Sequence, residues 1–238
     1  MNLLKGLLVY ISKNGTVTSM LKGKTNETTI ENSELIDITN DGNDFLVLSK
    51  NLKKNNKLCV TKLEKDLKLA NNKENCFPDL DGIENVTRLR GGFALHGNKN
   101  YQILSDSEYQ ILSKKDYEVV TPIKESNFVI ARSNKNYDVF SVDRKIKKIA
   151  SLNRNEYDCN MAKTLIKMDA NHGIICVNLN FSKNNDLFLE YFDLGNLSDE
   201  NQKGLKGKRL ILLQKPNVRH VDNVWMFESS QAQQYEFI

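Results

Sequence analysis

The sequence predicts an all-β chain built from repeated small antiparallel sheets, and three observations carry the prediction. Five short runs open on a large apolar side chain and continue as β-prone residues: Phe45-Leu-Val-Leu-Ser, Phe93-Ala-Leu-His-Gly, Phe128-Val-Ile-Ala-Arg, Ile174-Ile-Cys-Val-Asn and Trp225-Met-Phe-Glu-Ser. Each is flanked by further runs of the same character, at the spacing of short strands joined by turns. Val, Ile, Thr, Tyr and Asn recur through these runs, which argues against long helices. A unit this small cannot bury its own apolar face, so the units must stack to make a core.

The elements follow in chain order. Leu7-Leu-Val-Tyr-Ile-Ser and Thr16-Val-Thr-Ser-Met-Leu flank Asn14-Gly15, a hairpin signal read here as a type I′ turn, which needs positive φ at both central residues. Taking Phe45, Phe93, Phe128, Ile174 and Trp225 as equivalent gives spacings of 48, 35, 46 and 51 residues. Upstream of each anchor lies a first strand: Leu35-Ile-Asp-Ile, Val86-Thr-Arg-Leu, Val119-Val-Thr-Pro, Leu165-Ile-Lys-Met and Val218-Arg-His-Val. Downstream comes a third: Leu58-Cys-Val, Tyr101-Gln-Ile, Tyr137-Asp-Val, Leu187-Phe-Leu and Tyr235-Glu-Phe. Most units close on a fourth: Leu67-Lys-Leu, Tyr109-Gln-Ile-Leu, Ile146-Lys-Lys-Ile-Ala and Arg209-Leu-Ile-Leu-Leu. The Asn-rich patches Lys53-Lys-Asn-Asn-Lys57, Asn71-Asn-Lys-Glu-Asn75 and Lys183-Asn-Asn-Asp186 read as loops. Short helical turns are expected only within Glu31 to Leu35 and Arg154 to Met168.

Four antiparallel strands per unit is the blade of a β-propeller. The expected architecture is a propeller of five blades, or an incomplete six, forming one domain over residues 1–238. The last unit has three strands, so an N-terminal strand is expected to pair near the C-terminal blade and close the ring; the alternative is a separate, incomplete sixth blade that leaves a gap for a partner's strands. The chain thus resembles the β-propeller superfamily, most nearly divergent WD40-like repeats, over nearly its whole length. The resemblance lies in the strand pattern: no Trp-Asp dipeptide occurs, His96-Gly97 and His172-Gly173 reverse the Gly-His order, and Gly91-Gly92 is a single double glycine where kelch repeats would carry many. It implies a rigid platform for proteins or peptides, with enzymes and lectin sites in a minority of such folds.

Composition narrows the function classes. A hydrophobic share of 39% and a charged share of 27% are those of a globular chain, and 34 Lys+Arg against 30 Asp+Glu leaves only +4, spread along the sequence. That is a weak footprint for nucleic acid or anionic lipid. No stretch approaches eighteen apolar residues, so no membrane span is expected, and the N-terminus does not read as a secretory signal. Cys59, Cys76, Cys159 and Cys176 form two pairs seventeen apart. This spacing admits a metal or disulfide reading, but Cys59 and Cys176 sit in apolar runs, where a free cysteine acts as a small buried hydrophobe. With no secretory signal and no membrane span, and with the cysteines read as free thiols, an intracellular, reducing location, cytoplasmic or nuclear, is expected, with the sequons at Asn26 and Asn85 as chance matches.

No catalytic signature is present. His96, His172 and His220 are a candidate metal trio, with capping or surface histidines as the ordinary alternative. Asp37, Asp138, Asp169, Asp193 and Asp222 are the carboxylates a glycosidase would need, but they occupy unlike places in the repeat. No cofactor is expected. The basic run Arg144-Lys-Ile-Lys-Lys148 reads as a solvated outer strand. Lys203, Lys206, Lys208, Arg209, Lys215 and Arg219 form the candidate partner-binding set, placed at or near a long polar loop and suited to an acidic partner. The sequence therefore predicts a non-catalytic interaction scaffold, a subunit of a larger intracellular assembly. A pocketed glycan- or small-molecule-binding propeller and a nucleic-acid platform are the alternatives.

Overall fold

The computed structural model describes residues 2–4, 7–12, 14–21, 24–78, 82–123, 126–142, 145–160, 162, 166–168, 171–180, 187–194, 208–213, 217–221 and 224–228. Every regular element among them is a strand. The strands make six antiparallel sheets. The first holds β1 (Asn2–Leu4), β2 (Leu7–Ile11), β3 (Thr16–Leu21) and β4 (Lys24–Thr29). The second holds β5 (Ser33–Asp41), β6 (Asp44–Asn51), β7 (Lys57–Leu63) and β8 (Leu69–Phe77). In the third are β9 (Ile83–Leu89), β10 (Gly92–Gly97), β11 (Asn100–Leu104) and β12 (Tyr109–Ser113). In the fourth are β13 (Tyr117–Pro122), β14 (Phe128–Ser133), β15 (Asn136–Val142) and β16 (Ile146–Asn153). The fifth sheet adds a strand: β17 (Tyr157–Asp158), β18 (Ile166–Met168), β19 (Asn171–Asn178), β20 (Leu187–Asp193) and β21 (Lys208–Leu213). β22 (Asn217–Val221) and β23 (Val224–Glu228) form a two-stranded sheet. These meanders of four strands, each paired to its neighbour in sequence, are the blades of a β-propeller.

The chain divides into two compact units, residues 1–130 with 140–148, and residues 131–139 with 149–238. In the first unit β6 is buried on both faces, which is why its sequence reads as an unbroken apolar run rather than an alternation. Phe45 and Val47 pack with Leu35, Ile38 and Leu63 against Val9 and Val17 of the first sheet. Leu46 and Leu48 turn the other way and pack with Leu58 and Val60 against Phe93, Leu95 and Leu104 of the third. Adjacent blades are also joined by hydrogen bonds. Thr39 Oγ1 donates to the Leu89 carbonyl at 2.5 Å, the Gly91 amide to the Asn40 carbonyl at 2.8 Å, and the Arg90 amide to the Ser126 carbonyl at 2.7 Å. Arg88 on β9 reaches Asp37 on β5 at 2.6 Å. Since Arg88 is partly exposed, Arg88→Met is expected to cost no more than about 1 kcal/mol in urea melts, and the cost should shrink with added salt.

Gly92 shows why the double glycine stands where it does. A Cβ there would lie 2.2 Å from the Leu104 carbonyl oxygen and 2.8 Å from Val142 Cγ1. The second unit repeats this at Gly173, where a Cβ would meet the Phe192 carbonyl oxygen at 2.2 Å. Its core joins Ile174, Cys176, Leu189 and Phe192, with Tyr157 edge-on to Phe192. Within it, Asn178 Nδ2 donates to Glu190 at 2.6 Å.

The repeat phase stands: Phe45, Phe93, Phe128, Ile174 and Trp225 fall on β6, β10, β14, β19 and β23, each preceded in its own sheet by the strand assigned before it. Among the described residues the N-terminal strands form a four-stranded sheet of their own, in which β1 pairs with β2, in keeping with the alternative of a separate sixth blade; the Tyr235-Glu-Phe strand of the last unit lies outside the described residues. Three expectations change. The N-terminal hairpin is not a two-residue turn: the Ser12 amide bonds the Thr16 carbonyl and, of Asn14 and Gly15, Gly15 alone has positive φ, at 89°. That is the three-residue loop that ends on a left-handed glycine. Asn71 to Asn75, read as a loop, lies inside β8, while Leu67 is a buried turn residue with φ of 67°. Finally, the cysteines are not free thiols. Cys59 is bonded to Cys76 and Cys159 to Cys176.

β8 explains the last two corrections together. Asn, Lys and Glu are poor strand formers, so local preference favours a loop. Pairing with β7 overrides it, since the register Leu58 to Phe77 and Val60 to Asn75 sets Cys59 directly opposite Cys76. The last strands also differ in charge. β4 carries Lys24 and Glu27, β8 Lys73 and Glu74, β16 Lys147 and Lys148, and β21 Lys208 and Arg209. β12 reads Tyr109-Gln-Ile-Leu-Ser with no charge, and Tyr109 and Ile111 are exposed.

Candidate interaction surface

Two β-bulges create a groove between the first strands of the second and third blades. On β5 the pairing with β6 steps from Leu35–Ser49 to Asp37–Leu48, leaving Ile36 as the extra residue. On β9 the pairing with β10 steps from Asn85–His96 to Ile83–Gly97, leaving Glu84 as the extra residue. A bulge bends its strand and re-aims the unpaired side chain. Ile36 and Glu84 accordingly both line an open groove of about 380 Å³, with Glu34, Lys50, Ile83, Asn85 and Val86. Ile36, Ile83 and Val86 are half-buried against the cluster that contains Phe93. The groove therefore has an aliphatic floor on rigid backing and a charged rim.

Beside this groove, Glu84 lies 3.7 Å from Lys114. The Lys114 ammonium stands over the Tyr101 ring, 5.3 Å from its centre, and His96 meets that ring edge-on at 5.1 Å. Burial holds the His96 imidazole below its ordinary range, and the nearby Lys114 cation adds to the effect. Its Nε2 is buried without a hydrogen-bond partner. His96 thus packs against Tyr101 in surroundings that disfavour its charged form. His172 and His220 lie on β19 and β22, and their side chains fall outside the description.

Of the carboxylates singled out, Asp37 is tied to Arg88 and Asp138 accepts a 2.6 Å hydrogen bond from Ser151 Oγ. Asp193 lies on β20. Asp169 and Asp222 lie outside the described residues. Lys147 and Lys148 are exposed on β16, next to half-buried Ile146. In the candidate basic set, Lys203, Lys206 and Lys215 lie outside the described residues. Lys208 and Arg209 are on β21 and Arg219 is on β22, with backbone positions alone described. The groove residues were not singled out by the sequence. A bulge leaves no compositional trace, although Leu35-Ile-Asp-Ile, with three apolar residues in four, breaks strict alternation at the right place.

No known family profile matches the chain, and no curated protein matches its sequence. Solved structures align with most of the chain at low identity. The N-terminal domain of Nup159 aligns at 10% identity with a TM-score of 0.35, covering 91% of this chain and 64% of that one. The WD40 domain of SCAP from fission yeast aligns at 10% identity with a TM-score of 0.40, covering 92% and 64%. A chain of the S. cerevisiae assembly of Dbp5 with Nup159, Gle1, IP6 and ADP aligns at 9% identity with a TM-score of 0.37, covering 97% and 59%. The chain spans about three fifths of the length of these structures. Among the described residues no helix is long and apolar enough to cross a membrane.

Proposed function

We propose that the chain is a non-catalytic scaffold subunit of a larger assembly, with residues 1–238 acting as one propeller domain and the bulge-lined groove receiving an extended segment of a partner protein. The observation that carries this reading is the pair of bulge residues. Ile36 and Glu84 are the residues released from strand pairing, and both are turned to the same groove. An apolar side chain of the partner would seat on Ile36, Ile83 and Val86, and a neighbouring cationic one would meet Glu34 or Glu84. Such an anchor-plus-rim arrangement concentrates binding energy in a few residues.

The test is affinity purification from the native cell, read by mass spectrometry, comparing the wild type with Ile83→Asp. The wild type is expected to recover a stoichiometric protein partner. Ile83→Asp should lose it by about tenfold or more, with an unchanged far-UV spectrum. Recovery of a lone monomer that turns over a small substrate would overturn the reading, as would a partner indifferent to Ile83. The set Lys203, Lys206, Lys208, Arg209, Lys215 and Arg219 is proposed as a second, acidic-partner contact. Its share of the binding is the part that weakens with salt. The two disulfides remove one premise of the reducing compartment expected from the sequence and favour an oxidising one. The thiol state of the native protein, read by alkylation mass shift, decides between them.

A further inference from the structure

We propose that Cys59, Cys76 and Glu74 form a redox-gated site for a soft divalent cation of the zinc class, closed while the sulfurs are bonded to each other and open to metal once they are reduced. The sheet builds the site through its register. Ser49, Cys59 and Cys76 lie in one row across β6, β7 and β8, and Thr61 and Glu74 face each other in the next row on the same face. The two sulfurs and a Glu74 oxygen lie within 4.8 Å of one another, and among the described residues no other three Cys, His, Asp or Glu donors converge so. Ser49 and Cys59 are fully buried and Thr61 is 2% exposed.

The hydrogen bonding of this cluster is incomplete in a particular way. Glu74 Oε2 accepts from Asn51 Nδ2 at 2.6 Å and from Lys54 Nζ at 3.1 Å. Glu74 Oε1 is buried with no partner, as are the hydroxyls of Ser49 and Thr61. Buried polar atoms are normally satisfied, and a buried carboxylate oxygen beside two sulfurs is a donor set that zinc takes, with water in the fourth position. The unpartnered hydroxyls of Ser49 and Thr61 neighbour Cys59 on the same sheet face, where their proposed role is outer support for the thiolates.

Opening the site follows from the same contacts. Cys59 is sealed, whereas Cys76 is partly exposed, with the half-exposed Lys54 ammonium 3.4 Å from its sulfur. A thiolate of a small dithiol reductant attacks Cys76 Sγ; the bridge breaks, and Cys59 leaves as the thiolate. The reductant's second thiol then attacks its own mixed-disulfide sulfur, releasing Cys76 as a thiolate stabilised by Lys54. Two electrons pass to the protein and the reductant departs as a disulfide. Metal binding then displaces whatever protons the thiols have taken up. The bridge between Cys159 and Cys176 has no carboxylate completing such a group among the described residues, which makes it the internal control.

The test is titration of the purified chain with Co²⁺, reduced by a phosphine and compared with the oxidised form. The reduced wild type and reduced Cys159→Ser/Cys176→Ser are expected to bind one Co²⁺ with tetrahedral thiolate bands, and the oxidised wild type none. Glu74→Gln should weaken binding at least about 10- to 100-fold, the range seen even for outer partners of a ligand. Zinc should raise the Tm of the reduced wild type but not that of Cys59→Ser/Cys76→Ser. Absence of thiolate bands in the reduced wild type would overturn the proposal. So would bands that persist in Cys59→Ser/Cys76→Ser, affinity unchanged in Glu74→Gln, or a reduced chain whose lost sheet signal zinc does not restore.

Discussion

Reducing both disulfides in the presence of a chelator is expected to lower the stability of the chain by about 3 kcal/mol for each bridge. The argument is one of chain entropy. Each bridge closes a loop with a sequence separation of 17, so opening it returns that conformational freedom to the unfolded ensemble. Against a total of about 5–15 kcal/mol for an ordinary domain this is a large fraction. Because Cys59–Cys76 lies in one compact unit and Cys159–Cys176 in the other, the two Cys-to-Ser double variants separate the contributions. Urea midpoints with and without reductant provide the measurement. Superimposable curves would mean that the bridges contribute nothing to folding.

Truncating Phe93 is the second large effect. Phe93 is fully buried among Leu46, Leu48, Leu58, Leu95 and Leu104, so Phe93→Ala is expected to cost about 3–5 kcal/mol in urea denaturation. Phe128 holds the same place in the repeat but is only half-buried, at the very start of β14. Phe128→Ala is therefore expected to cost less than half as much. Equal losses would show that the anchors carry equal packing loads, which their burial contradicts.

That contrast marks how far the sequence could be read. Strand order was legible because Phe45, Phe93, Ile174 and their neighbours need burial on both faces, and an unbroken apolar run records that need. Depth of burial at Phe128 was not legible, because it depends on where the chain enters β14. The bridges were within reach in principle. Pairing Leu58-Cys-Val with a partner strand in one hairpin puts Cys59 opposite Cys76, and continuing the register of Asp158 with Val177 by one residue sets Cys159 opposite Cys176. Reading Asn71 to Asn75 as a loop hid the first of these. The groove lay further out of reach, because it is made by the residues that strand pairing leaves over, Ile36 and Glu84. Pattern reading assumes that pairing is complete.

The uncharged last strand of the third blade has a consequence for how the chain keeps apart from its own copies. The exposed charges Lys24 and Glu27 on β4 and Lys147 and Lys148 on β16 oppose pairing with a stray strand, the usual protection of an open sheet edge. Five residues from Tyr109 to Ser113 do without it. Colloidal stability is therefore not spread evenly over the surface in proportion to net charge. Among the described last strands it is expected to be lowest at this short edge, and the +4 of the whole chain says little about it.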